Sequence, residues 1–164
     1  MSHEPGTDHF KAAILEILNE TFASHHGHYL DKGTSLFETL ATVSAAEASI
    51  PVSVSCASIA TQVNHVIYYL DVLAHDLVGD EPTDVNWNAA WNIGPVNDDE
   101  WSALIARLRA TADETTALLA GTTEWNEDPA YGAVSIAVHT AYHLGEIRRA
   151  LCTIQDRPPN PGQS

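Results

Sequence analysis

His139 and His143 stand four residues apart in the stretch 133–154, AVSIAVHTAYHLGEIRRALCTI. At helical spacing they share one face with Ile136, Ile147, Ala150 and Ile154. Their Cβ atoms then lie about 5–6 Å apart, close enough for two imidazoles to grip one divalent metal ion. Left without a partner on an apolar face, the same rings would cost desolvation energy. The bland alternative is a pair of ordinary core histidines. A metal site needs a third ligand, and bundle cores commonly draw it from a facing helix. His65 adjoins Val66 in an apolar seam at mid-helix, whereas His75 lies near a helix end beside Asp76. His65 is therefore the expected third ligand.

Further groups cluster around these positions in sequence. Glu146 follows His143 by about one turn, where it can be a fourth ligand, a partner for an imidazole N–H or a salt-bridge partner for an arginine. Of the three, the N–H partner is preferred. Tyr69, beside Tyr68 near His65, can line a pocket, and Trp87 and Trp91 can serve as a lid. The zinc-protease pattern H-E-x-x-H is absent, because Thr140 follows His139. The glycine-broken cluster His25-His26-Gly27-His28 is expected to be exposed, without a specific metal role. Cys56 and Cys152 form no C-x-x-C and read as free thiols. No catalytic residue is assigned, since no triad follows from spacing alone.

Several elements must position these residues. Residues 1–7 read as a loose tail, and residues 155–164, rich in proline, as a disordered one. Between them, residues 8–154 form the helical domain. A stripe of Phe10, Ile14, Leu18 and Phe22 predicts a first helix to about Ala23, with Glu16 and Glu20 on its opposite side. Helix resumes at Ser35, where Ser35 and Glu38 form a capping box, and Leu36, Leu40 and Val43 carry the stripe onward. Pro51 holds open a connector over 50–57. Ser58 caps a long helix to about Val78, with Ile59, Val63, Val66, Leu70, Leu73 and Leu77 at bundle-seam spacing. The segment 80–97 is irregular and contains two tryptophans, which argues for a packed functional loop. Asn97 caps the next helix, which Gly121 ends, and a turn at Asp128-Pro129 leads into the two-histidine helix. The fold class is all-α, a four-helix bundle of up-down-up-down type with an interrupted first helical region.

Composition narrows the function. The 164 residues suffice for one domain, and 45% of them are apolar. With 22 acidic and 7 basic residues, the formal net charge is −15. Such a surface repels phosphate backbones, so neither nucleic acid nor an anionic membrane is an expected partner. No apolar run approaches the roughly 18 residues that a membrane span needs, and no signal peptide is seen. The expected location is cytoplasmic.

The runs N-H-V-I-Y-Y-L-D at 64–71 and H-T-A-Y-H-L-G-E-I-R at 139–148 resemble the DinB-like (DinB/YfiT) superfamily of metal-binding four-helix bundles. That pattern has one histidine on the second bundle helix and H-x3-H-x-G-[QE]-[IL] on the last. His65, His139 and His143 match the ligand positions, and Gly145, Glu146 and Ile147 match the trailing signature. The interrupted first helix departs from the simplest family pattern. The resemblance implies zinc or nickel on three histidines, with coordination left open for water or substrate. It also implies a homodimer and a small-molecule substrate. Some relatives are thiol-dependent transferases or isomerases that use low-molecular-weight thiols such as mycothiol or bacillithiol. The implied function is thus a metal-dependent thiol S-transferase. A non-catalytic metal-stabilised binding or sensing module and a metal-dependent hydrolase are the alternatives.

Overall fold

Four long helices carry the fold in a computed structural model that describes residues 5–77, 79 and 85–156. They are α1 (Pro5–Phe22), α4 (Ile59–Leu77), α6 (Asp98–Gly121) and α7 (Glu127–Gln155). Three short helices lie between them: α2 (Leu36–Leu40), α3 (Ala45–Ala48) and α5 (Trp87–Ala90). No strand occurs among the described residues, so the all-α expectation holds, and no helix there is long and apolar enough to cross a membrane. Residues 1–4 and 157–164 of the expected tails, and Val78, lie outside the described residues.

α4 packs against both α6 and α7, and α1 packs against the same two. The bundle diagonals are therefore α1/α4 and α6/α7. One continuous core fills the interior, with Leu18, Ile59, Val63, Ile67, Leu70, Leu108, Leu119, Ile136 and Ile147 wholly buried. Buried positions recur every three or four residues along the helices, as at Ile14, Leu18 and Phe22 of α1 and Ile59, Val63, Ile67 and Leu70 of α4, so each turns one stripe inward.

Three boundaries differ from the sequence reading. α1 begins at Pro5, so residues 5–7 form its first turn rather than part of a tail; proline suits that position because its missing N–H has no helical partner there. α7 begins at Glu127, and Asp128-Pro129 belongs to its first turn for the same reason. The helix carrying Leu36 and Leu40 ends at Leu40, and Val43 lies between α2 and α3. A second capping box starts α3: the Ser44 backbone N–H donates to Glu47 Oε2 at 2.9 Å, and the Glu47 N–H donates back to Ser44 Oγ at 3.3 Å. The expected caps at Ser35, Ser58 and Asn97 are present, with the Ser58 hydroxyl accepting from the Thr61 N–H.

A larger correction concerns Glu20. It does not face solvent on the outer side of α1; it is fully buried. Its carboxylate turns into the loop after α1 and accepts backbone N–H bonds from Gly27, His28 and Leu30 at 3.0–3.2 Å. Burial alone would push its pKa up, but the N–H bonds, led by those of Leu30 and His28, outweigh it and hold the group at about 2. The loop can take this shape because Gly27 and Gly33 adopt φ of 86° and 78°.

A prediction follows from the sign of that shift. A depressed carboxylate contributes stability above its ordinary value of 4.5 and loses it as pH falls towards about 2. Glu20→Gln should unfold at lower urea than wild type at pH 7, with faster amide exchange over residues 27–30. The gap should narrow steadily as pH falls from 4.5 to about 2. Equal midpoints at pH 7 would show that the carboxylate does not hold the loop.

Candidate metal centre

α4 and α7 pack side by side, so α4 presents His65 to a face on which α7 presents His139 and His143. His65 and His143 are buried and His139 is half-buried. The Nε2 atom of His139 lies 3.1 Å from Nε2 of His65 and 3.1 Å from Nε2 of His143. These three histidines, with donor atoms within 4.8 Å of one another, are the one candidate metal cluster among the described residues. The expected ligand set is therefore brought together at one point.

The electrostatics favour neutral rings. Burial, then the His143 and His65 rings, push the His139 pKa down to about 3. Burial and the His65 ring lower His143 to about 4, and burial lowers His65. At neutral pH each ring thus offers a lone pair instead of a second N–H. Gln62 fixes which nitrogen does so on His143: its Oε1 accepts the Nδ1–H at 2.6 Å, leaving Nε2 bare. His139 Nε2–H can donate to one neighbour but not to both. The Nδ1 atoms of His65 and His139 are buried without a partner among the described residues.

Such a cluster suits a cation. Two nitrogens each about 2.0–2.1 Å from one ion stand roughly 2.8–3.4 Å apart for right-angle to tetrahedral ligand angles. The two 3.1 Å separations fall within that interval.

Aromatic rings hold the imidazoles in their planes. Tyr69 stacks on His139 with centroids 3.4 Å apart, and Trp91 stacks on His65 at 3.9 Å. Trp87 packs against Tyr68 and Tyr69 at 5.6 and 5.9 Å. Both tryptophans, expected as a pocket or lid, therefore reach the site through α5 and its C-cap. α5 is tied to α4 at two places: the Asn86 N–H donates to the Tyr68 hydroxyl, and Asn64 Nδ2 donates to the Ala90 carbonyl. Beyond it, Ser49 Oγ accepts from the Val96 N–H at 2.9 Å.

Glu146, expected as the imidazole N–H partner, is exposed on α7. Gln62 makes that bond instead. Its position three residues before His65 puts it on the same face of α4, which is the signal that could have found it. His75 is exposed near the end of α4, as are His25, His26 and His28, and His26 pairs with Glu16 at 3.0 Å. Both cysteines are free and exposed.

Removing Gln62 leaves the His143 N–H unpaired, so Gln62→Leu should weaken metal binding by about 10–100-fold. Glu146→Gln should leave it unchanged. Competition against a chromophoric chelator measures both. A site formed only in the folded state also adds stability, so chelation should lower the melting temperature of metal-loaded wild type and leave His143→Ala unmoved.

The profile of the DinB superfamily matches residues 30–147, a span that contains all three histidines and Gln62. No curated protein and no solved structure matches the chain. With well over half of its 164 residues matched, a helical bundle and three histidines at the expected ligand positions, the chain belongs to the DinB superfamily.

Proposed function

We propose that His65, His139 and His143 hold a divalent ion, zinc or nickel, and that the protein transfers a low-molecular-weight thiol of the mycothiol or bacillithiol type to a small electrophilic substrate. The observation that carries this reading is the donor set, three neutral imidazoles with no Cys, Asp or Glu in the cluster among the described residues. An ion in such a site keeps its full positive charge and, when bound, supplies the Lewis acidity that lowers the pKa of a sulfur ligand.

The chain's own residues bind, orient and shield. Tyr69 both stacks on His139 and lines a cavity of about 730 Å³ shared with Leu73, Leu77 and Gly132, a size suited to a small molecule. Trp91 covers His65 and Trp87 braces Tyr69, so aromatic rings wall the site. Neither Cys56 nor Cys152 belongs to the cluster, so the reacting sulfur comes from outside. We place the protein in the cytoplasm, where such thiols stay reduced. The sulfur forms the new C–S bond, the leaving group departs with the bonding electron pair, and the thiol proton passes to solvent at the exposed edge of Trp91.

The lack of a carboxylate in the cluster favours a second reading, a non-catalytic metal-stabilised binding module, over a hydrolase. A hydrolase would need a proton acceptor for its water. Thiol binding separates these readings. In the cobalt-substituted protein, adding a small thiol should produce a sulfur-to-metal charge-transfer band, and His139→Ala should show none. Trp87→Ala should weaken thiol binding with metal content intact. No band with several thiols at full metal occupancy would leave the binding module as the better account.

A further inference from the structure

Besides Tyr69 and Leu73, the cavity between α4 and α7 is lined by Asp76 near the end of α4 and by Asp128, Tyr131 and Ser135 of α7. Two stripes join it to the histidines. On α4, His65, Tyr69, Leu73 and Asp76 recur at steps of three or four, and on α7 Asp128, Gly132, Ser135 and His139 do the same. The helices run antiparallel there, since His65 meets His139 while a Cβ on Gly132 would lie 2.9 Å from the Leu77 side chain. Each stripe therefore carries a histidine at one end and an aspartate at the other. Eleven residues separate the two ends on either helix, about 16 Å at the helical rise. Tyr69 belongs to both regions, lining the cavity and stacking on His139.

The lining carries charge of one sign. No Lys, Arg or His among the described residues borders the cavity, and neither aspartate forms a salt bridge among them. Two carboxylates could instead hold a metal ion, but the three histidines are the one candidate metal cluster among the described residues. A volume of about 730 Å³ with aliphatic walls at Leu73 and Leu77 fits an organic molecule. Tyr131 adds an aromatic ring of the kind that attracts an ammonium group.

Taking the thiol transfer proposed for the centre as given, we propose that its electrophilic substrate is an amphiphilic amine, with an aliphatic stem along this cavity and a terminal ammonium held by Asp76 and Asp128. The reacting carbon then lies at the histidine end of the two stripes. A net charge of −15 draws such a cation towards the protein. An anionic substrate of the same length would meet two carboxylates and no counter-charge, so the lining also discriminates.

An eleven-carbon chain with a thiol at one end and a primary amine at the other matches both ends of the site. Isothermal calorimetry on the metal-loaded full chain should show it binding about tenfold tighter than the same chain ending in a hydroxyl. The chain ending in a carboxylate should bind more weakly still. Asp76→Asn and Asp128→Asn should each cut the preference for amine over hydroxyl about threefold, and the two together should remove it, with metal content and helical circular dichroism unchanged. Asp98→Asn with Asp99→Asn, outside the cavity, should leave the preference intact, which separates the site from general attraction to an acidic protein. Ser135→Phe should weaken all three long chains at least about tenfold and spare 2-mercaptoethanol. The cobalt band with 2-mercaptoethanol tests the thiol reading alone, and its absence overturns that reading without touching the calorimetric preference. Equal binding of the amine and hydroxyl chains, or a preference that survives the double aspartate substitution, overturns the amine site whatever the band shows.

Discussion

Three ring nitrogens meeting at one point, with His139 Nε2 3.1 Å from those of both His65 and His143, impose the constraint on which the rest of the site depends. Three protons cannot occupy that space, and three lone pairs repel one another unless something positive sits among them. Every neighbouring feature serves to keep that arrangement in place. Gln62 selects the tautomer of His143, Tyr69 and Trp91 clamp two ring planes, and the side-by-side packing of α4 and α7 sets the separation. Burial prevents protonation from relieving the crowding, because a charged imidazole there would lose its hydration.

Glu20 solves the opposite problem with the same physics. Its negative charge is buried, and backbone N–H groups of the following loop replace its water. A fixed anion thus orders the stretch after α1, and a fixed ring of neutral donors orders the centre between α4 and α7. Both bury polar groups, but the Glu20 carboxylate finds its partners in the loop, whereas the Nδ1 atoms of His65 and His139 have none among the described residues. The acidic envelope adds a long-range component, since a net charge of −15 raises the local concentration of cations around the cluster.

The sequence made the ligand set legible because histidine at helical spacing on an apolar stripe has few bland explanations. His65, His139 and His143 could be picked out from periodicity, and the caps at Ser35, Ser58 and Asn97 from residue type. Glu20 was not legible. Its place on the polar side of a helical stripe fits an exposed residue, and the N–H groups that hold it belong to a loop whose path no local rule supplies. Gln62 was overlooked for a related reason. Glu146 has the charge and the spacing expected of an imidazole partner, but its position on α7 faces away, which only the rotation of the packed helix decides. The starts of α1 and α7 ran past the expected breaks because proline interrupts a helix interior and not its first turn.

The three histidines also matter as chain topology. His65 and His139 stand 74 residues apart, so anything that ties them together closes a long loop containing α5 and all of α6. Such a cross-link removes conformations from the unfolded chain in the way a disulfide does, and the effect grows slowly with loop size. Both fastening points lie on the neighbouring helices α4 and α7. A cation held by these histidines would act as a staple across the bundle.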